Sequence, residues 1–143
     1  MASKTRSADS VWRGGGKGGQ GALTTSSGAL NEIPYALKMR FGDDAGTNPE
    51  ELIGAAHAGC FNMALAVGLD GAGHAPDELR TSAHVTVEQE DGGWRITKVL
   101  LELNGKVPGI SEEEFKEAAE QAKAGCPVSK LLNAEISLKA NLV

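Results

Sequence analysis

The sequence predicts an α+β fold in which antiparallel sheets surround one long apolar helix. Two runs of strand-like residues alternate apolar and polar side chains, and segments with helical period and helical caps separate them. The 143 residues, 41% of them apolar and 23% charged, suit one soluble globular domain with its own core. We expect a flexible tail over residues 1–9 and a single domain over residues 10–143.

The first quarter of the chain predicts a three-stranded antiparallel meander. Its β-like stretches are residues 11–13, 22–25 and 34–41. A glycine-rich segment, residues 14–21, lies between the first two stretches and formally contains G-x-G-x-x-G. No helical pattern follows it, so a mobile hairpin turn is a better interpretation than a dinucleotide site.

A long helix is predicted from about Pro49 to Leu69. Asn48 can cap it, Pro49 suits the first helical position, and Glu50 favours the positive end of the helix dipole. Gly71 is a natural stop.

This helix carries no charge over residues 52–69, which is the lower length limit for a membrane span. His57, Asn62 and three glycines interrupt the run, and no aromatic belt or basic cluster flanks it. We therefore interpret it as a core helix buried on every side, at the centre of the fold, and predict no membrane partner.

The second half of the chain predicts a hairpin and a closing strand. Residues 79–90 and 94–106 alternate in polarity and are joined by Asp91-Gly92-Gly93, a strong turn signal. Residues 134–142 alternate again and form the last predicted strand.

Two more helices are predicted between this hairpin and the last strand. Ser111 and Glu114 form a capping box for a helix that runs to about Ala124. Pro127 suits the first position of a short helix that follows. The predicted order is therefore βββ-α-ββ-αα-β.

Charge and cysteine content narrow the possible functions. The chain has 14 Lys and Arg against 19 Asp and Glu, and this net charge of −5 disfavours nucleic acid as a partner, since phosphate binding needs a basic face. Residues 1–10 contain no apolar secretion segment, so we expect a cytoplasmic location. Two cysteines in that compartment, Cys60 and Cys126, are more often reduced or redox-active than structural.

Position alone favours Cys126 as the more reactive thiol. It lies at a helix start, where unpaired N–H groups stabilise a thiolate. Cys60 lies in mid-helix and needs a cation from elsewhere, because apolar surroundings raise a thiol pKa. Two buried, inert cysteines are the alternative.

His57 precedes Cys60 by three residues, so both side chains share one helix face. The pair could be half of a zinc site, a base with its thiol, or a core histidine beside a cysteine. Cys126, His74 and His84 are the candidates for further zinc ligands. No ligand spacing supports them, so no metal is predicted.

Arg40 lies in the β-like run that flanks the loop before the cysteine helix. A guanidinium at that sheet edge could reach the helix, and Glu50 in its first turn could hold it. A solvated surface ion pair is the alternative interpretation.

Two segments carrying the cysteines resemble motifs of the OsmC/Ohr family, the osmotically inducible and organic hydroperoxide resistance proteins. Residues 46–61, GTNPEELIGAAHAGCF, resemble the cysteine-helix motif, and residues 123–129, KAGCPVS, resemble the second cysteine motif. The resemblance extends from about Trp12 to Leu142. His57 and the segment Asn31–Tyr35 make it more similar to the OsmC branch.

This resemblance implies a thiol peroxidase for organic hydroperoxides that forms an intertwined homodimer. It implies that Cys60 is the peroxidatic cysteine, oxidised to a sulfenic acid, and that Cys126 resolves it as a disulfide. Arg40 takes the place of the catalytic arginine, and Glu50 that of the glutamate that holds it. The role of Cys60 then depends on Arg40 reaching it.

The resemblance also implies a dithiol reductant, of the lipoyl type, and no metal, haem or flavin cofactor. Apolar neighbours such as Phe61 and Met63, or residues from a second subunit, would favour an alkyl or lipid hydroperoxide over hydrogen peroxide. A non-catalytic or metal-binding protein of the same fold is the alternative.

Overall fold

The structure is a computed structural model that describes residues 2–143. The chain divides into two compact units, one ending at Pro49 and the other running from Glu50 to Val143. The order of elements is βββ-αα-ββ-αα-β, which confirms the predicted α+β class and adds one short helix to the predicted order.

The first unit contains a three-stranded antiparallel sheet, as predicted. Strands β1 (Ala8–Arg13), β2 (Gln20–Thr25) and β3 (Ile33–Tyr35) pair in that order. Strand β1 begins two residues inside the expected flexible tail, because Ala8 pairs with Thr25 and Asp9 with Thr24.

Helix α1 (Leu37–Phe41) replaces the strand that was predicted to continue to Phe41. The backbone N–H of Arg40 donates to the Ala36 carbonyl at 3.2 Å, and that of Gly42 donates to Lys38 at 3.1 Å. The predicted strand to Phe41 was therefore wrong. The segment forms a helix because leucine, lysine, methionine and arginine are all good helix formers. Arg40 is thus on a helix and not on a strand.

The second unit contains the cysteine helix, a three-stranded sheet and two further helices. Its elements are α2 (Pro49–Gly71, whose first residue ends the first unit), β4 (Glu78–Glu90), β5 (Gly93–Lys106), α3 (Glu112–Gly125), α4 (Pro127–Leu131) and β6 (Glu135–Leu142). These confirm the predicted elements to within about two residues. The Ser111 hydroxyl accepts the Glu114 N–H at 3.1 Å, so this half of the predicted capping box is present.

The second sheet is mixed, which corrects the prediction of antiparallel sheets. Strand β4 pairs antiparallel with β5, but β6 pairs parallel with β5. A parallel pair needs a long crossover, and here α3 and α4 supply it. Alternation along residues 134–142 identified the strand but carried no information about its direction.

Helix α2 is buried on one face, not on every side as predicted. Its buried residues recur every three or four positions, and they are Glu50, Gly54, His57, Phe61, Leu65 and Leu69. Phe61, Leu65 and Leu69 pack into one core cluster with Val99 and Leu101 of β5. The opposite face exposes 68% of Met63 and 74% of Val67.

By length and composition alone, α2 could also cross a membrane. A core helix of a soluble protein meets the same test, and the buried stripe of α2 packs against the sheet of the second unit.

Candidate functional site

The two cysteines meet in the second unit. Cys60 lies in the middle of α2, and Cys126 lies at the junction where α3 ends and α4 begins. Their Sγ atoms are 2.8 Å apart, and both are free thiols. Cys126 is completely buried, whereas Cys60 is partly exposed. The fold therefore holds the two sulfurs within reacting distance.

Burial and hydrogen bonds shift the pKa values of the two thiols in opposite directions. Burial raises the pKa of Cys60, and the hydrogen bond with Cys126 raises it further. Burial also opposes ionisation of Cys126, but hydrogen bonds from Cys60, from Ser129 and from the Val128 N–H lower its pKa overall. In the neutral pair the Cys126 thiol donates to Cys60, and once Cys126 ionises the Cys60 thiol donates instead.

This acidity agrees with the preference for Cys126 that its position at a helix start suggested. Within the second unit, Cys60 is the weaker acid of the two. A peroxidatic role for Cys60 therefore needs a cation beside it.

His57 belongs to the same buried cluster. Its side chain is fully buried, and its Nε2 lies 2.7 Å from the Ser129 hydroxyl oxygen. Burial lowers the pKa of His57, so the ring is neutral at pH 7. Its Nδ1 has no hydrogen-bond partner among residues 2–143. His57 is thus a core histidine with one polar contact.

Ser129 is a site residue that the sequence analysis missed. Its hydroxyl contacts His57, and its hydroxyl and backbone N–H both stabilise the Cys126 thiolate. Ser129 lies three residues after Cys126 on α4, so helical spacing was the available signal. The contact across 72 residues to His57 had no signal in the sequence.

An apolar groove of about 850 Å³ leads to Cys60. It lies between α2 and α3, within the second unit, and its apolar lining includes Met63, Ala64, Val67, Ile110, Ala118 and Pro127. Cys60 is among the lining residues and Cys126 is not. Met63 lines the groove as expected, whereas Phe61 is completely buried in the core, so its expected place beside the substrate was wrong.

Polar groups also line the groove. His74 Nε2 lies 3.9 Å from Glu114 Oε2, and Glu117 and Gln121 lie on the same helix as Glu114. Apolar side chains and a few polar groups therefore line the approach to Cys60.

Arg40 and Glu50 belong to different units. Arg40 lies on α1, with its guanidinium carbon 4.9 Å from the centre of the Phe41 ring. Glu50 lies in the first turn of α2 and is only 7% exposed. A carboxylate this buried needs a charged or hydrogen-bonding partner.

Residues 2–143 contain no group of three or more His, Cys, Asp or Glu side chains placed to hold a metal ion. The zinc alternative for Cys60, Cys126 and His57 therefore has no structural support, since His57 hydrogen-bonds to Ser129 and the two free thiols form a hydrogen bond with each other.

A partly exposed thiol beside a buried one, at the end of an apolar groove, defines a class: a thiol-redox protein of α+β fold. Residues 42–141 match the family model for OsmC-like proteins. The chain therefore belongs to the OsmC-like family, as the two cysteine motifs predicted.

Relatives of known name lie in both branches of the family. The chain is 49% identical over 131 residues to peroxiredoxin OsmC of Escherichia coli K12, covering 92% of each protein. It is 32% identical over 129 residues to the organic hydroperoxide resistance protein of Xanthomonas axonopodis pv. citri, covering 87% of each. The higher identity is with the OsmC protein, which confirms the predicted branch.

Solved structures share the fold. An organic hydroperoxide resistance protein from Elizabethkingia anophelis matches with a TM-score of 0.78 and 28% identity, over 99% of each chain. OhrB of Bacillus subtilis matches with a TM-score of 0.71 and 27% identity, over 96% of this chain and 98% of that one.

Proposed function

We propose that this protein is a cysteine-based peroxidase that reduces organic hydroperoxides to alcohols. The observation that carries the proposal is the thiol pair, 2.8 Å apart, with Cys60 at the end of an apolar groove. Relatives named peroxiredoxin and organic hydroperoxide resistance protein support the same activity.

In the proposed reaction the Cys60 thiolate attacks one oxygen of the weak O–O bond. The S–O bond forms, the O–O bond breaks, and the other oxygen leaves with its alkyl group and takes a proton to become the alcohol. Cys60 is now a sulfenic acid. The Cys126 thiolate then attacks that sulfur and displaces hydroxide, which takes up the proton that Cys126 lost on ionising and leaves as water, so that a Cys60–Cys126 disulfide forms.

We assign Arg40 as the cation that stabilises the Cys60 thiolate. Burial and Cys126 both raise the pKa of Cys60, so Cys60 needs an adjacent positive charge to ionise readily. Glu50 would hold the guanidinium through a two-pronged hydrogen bond, which offsets the cost of burying that carboxylate. The family resemblance supports these roles for Arg40 and Glu50. We also propose that residues 10–143 form one domain, which the assignment requires.

The proposed substrate is an alkyl or lipid hydroperoxide. The groove beside Cys60 is lined mainly by apolar side chains, so it would desolvate an alkyl chain favourably, at about 0.8 kcal/mol for each buried methylene. Hydrogen peroxide gains nothing from that surface. We expect faster turnover of cumene hydroperoxide than of hydrogen peroxide, and comparable rates would remove this part of the proposal.

The disulfide must be reduced by a dithiol, for which we propose a lipoyl-type donor. We also propose an intertwined homodimer in the cytoplasm. Met63 and Val67 lie one turn apart on α2 and are 68% and 74% exposed, and an apolar patch exposed in this way supports coverage by a partner. Sedimentation of the purified protein would test it.

The decisive experiment is peroxide consumption with a dithiol, using the wild type and three variants. Cys60→Ser should show no turnover. Cys126→Ser should complete one reaction and then stop as the sulfenic acid or overoxidise. Arg40→Ala should react slowly, because its Cys60 thiol stays protonated.

The lower pKa of Cys126 supports one specific alternative, in which Cys126 is the peroxidatic cysteine and Cys60 resolves it. Retained turnover in Cys60→Ser would establish that exchange and overturn the proposal. A protein whose thiols react slowly in every variant would instead be non-catalytic.

A further inference from the structure

We propose that Ser129 is a further catalytic residue, held by His57, and that its hydroxyl makes Cys126 the leaving thiolate when the reductant opens the disulfide. His57 acts through Ser129 and is a positioning residue. The inference rests on the proposed function, in which Cys60 and Cys126 form that disulfide.

The hydrogen count at Ser129 fixes the direction of the network. A serine hydroxyl has one hydrogen to donate and can accept at its oxygen. Ser129 lies three residues after Cys126 and lowers its pKa, so we assign this hydrogen to the Cys126 thiolate. His57 Nε2, at 2.7 Å from the same oxygen, must then carry the ring proton and donate it to Ser129.

The unpartnered Nδ1 of His57 fits this direction. With the proton on Nε2, Nδ1 is a bare acceptor, and no donor lies beside it among residues 2–143. The opposite tautomer would bury an unpaired N–H and take the Ser129 hydrogen away from Cys126. Buried unpaired N–H groups are rare because they cost more than under-satisfied acceptors.

Burial decides which sulfur the reductant reaches. Cys126 is completely buried, whereas Cys60 lines the groove. A thiolate of the dithiol therefore attacks Cys60 Sγ, the Cys60–Cys126 bond breaks, and Cys126 leaves with the electron pair. The second thiolate of the reductant then displaces Cys60, so the dithiol is oxidised to its own disulfide and its two protons end on Cys60 and Cys126.

A leaving thiol with a lower pKa departs faster in this exchange. The hydroxyl of Ser129 stabilises negative charge on Cys126 at the moment that charge appears. The same hydrogen bond favours the ionised form of Cys126 for its earlier attack on the Cys60 sulfenic acid. Because burial lowers the pKa of His57, the neutral ring fixes the hydroxyl without placing a charge in the core.

The first test measures the ionisation of Cys126 by the ultraviolet absorbance of its thiolate, in a Cys60→Ala background. Adding Ser129→Ala should raise the pKa of Cys126 by about one unit, a tenfold loss of ionisation, because a hydrogen bond to a charged group is lost. Ser129→Thr, which keeps the hydroxyl, should restore most of it. An unchanged pKa in Ser129→Ala would overturn the proposal.

The second test follows reduction of the oxidised protein by dithiothreitol in a stopped-flow instrument. Ser129→Ala should slow it several-fold. His57→Leu should slow it too, and His57→Gln, which keeps an N–H donor, should recover part of the rate. The control is Ser137→Ala, an exposed serine of β6, which should match the wild type. Equal rates in Ser129→Ala and the wild type would contradict the role.

The two tests separate this inference from the proposed function. The pKa comparison needs no peroxidase activity, so it tests the effect of Ser129 on Cys126 even if Cys60→Ser retains turnover. Conversely, loss of turnover in Cys60→Ser together with an unmoved Cys126 pKa in Ser129→Ala would keep the peroxidase and discard the role of Ser129.

Discussion

Cys126 Sγ lies 2.8 Å from Cys60 Sγ, although 66 residues separate them in the chain. Cys60 is fixed by the buried stripe of α2, and Cys126 is fixed at the sharp junction between α3 and α4. The contact therefore depends on how α2 and α3 pack, and both thiols are in place before any oxidant arrives.

This contact predicts that one equivalent of organic hydroperoxide removes both thiols. Disulfide formation should outrun further oxidation of Cys60, because Cys126 already lies beside it. The number of free thiols found by titration should fall from two per chain to none when one equivalent of hydroperoxide has been added. Cys126→Ser is the control and should instead accumulate a sulfenic acid that a dimedone-type reagent traps. A wild type that retains one thiol at that point would refute this prediction.

Burial of neutral His57 predicts a loss of stability in weak acid. Its folded pKa is below the unfolded value of about 6.5. Between those two values the unfolded chain binds more protons than the folded chain. The free energy of unfolding is therefore not reduced by His57 above about pH 6.5, and it falls as the pH decreases below that value.

This effect would be measured by thermal unfolding at pH values from about 5 to about 8, in steps of roughly one pH unit. That range brackets the ordinary histidine pKa. His57→Gln should flatten the acid side of the curve, because the titrating group is gone. His84→Gln is the matched control, since the His84 side chain is 58% exposed, and it should keep the wild-type slope. An equal slope in His57→Gln would show that another group is responsible.

Gly105 of β5 should tolerate no side chain. A Cβ there would lie 2.5 Å from Cζ of Phe115 and 2.7 Å from its Cε1, and Phe115 is completely buried on α3. We expect Gly105→Ala to lower the free energy of unfolding by about 1–3 kcal/mol, the usual effect of overpacking a core.

Urea unfolding would measure the change, with Gly92→Ala as the control. A Cβ at Gly92 meets nothing within 4 Å, so that variant should stay within about 0.5 kcal/mol of the wild type. A stable Gly105→Ala would mean that the Phe115 ring can move aside.

Filling the groove should change the substrate preference. Ala118 lines the groove from α3, so Ala118→Leu should lower kcat/KM for cumene hydroperoxide about tenfold while leaving that for hydrogen peroxide nearly unchanged. Ala124→Leu, on an exposed part of the same helix that does not line the groove, is the control. An equal effect on both peroxides would indicate a general disturbance of Cys60.

Local signals determined most of the elements. Helix α2 begins at Pro49 and ends at Gly71, and Ser111 caps α3, as these residue types predicted. The turn at residues 91–93 sets the hairpin of β4 and β5. Such signals act within a few residues of the backbone, so they can be read without knowing what packs nearby. The two cysteine motifs likewise identified the family.

Other features depend on distant contacts. Leu37–Phe41 alternates like a strand yet forms a helix, because intrinsic helix propensity decides where the sheet supplies no partner. The direction of β6 depends on the crossover through α3 and α4, and a period of two is the same in either direction.

The sequence by itself determined that the chain is an α+β protein of this family with two redox-capable cysteines, because caps, turns, periodicity and motifs are written in neighbouring residues. Only the tertiary structure decided which face of α2 is buried, that Cys60 opens to a groove while Cys126 does not, and that His57 contacts Ser129. These depend on contacts across tens of residues, and hydrogen bonding and burial at those contacts set the acidity of each thiol.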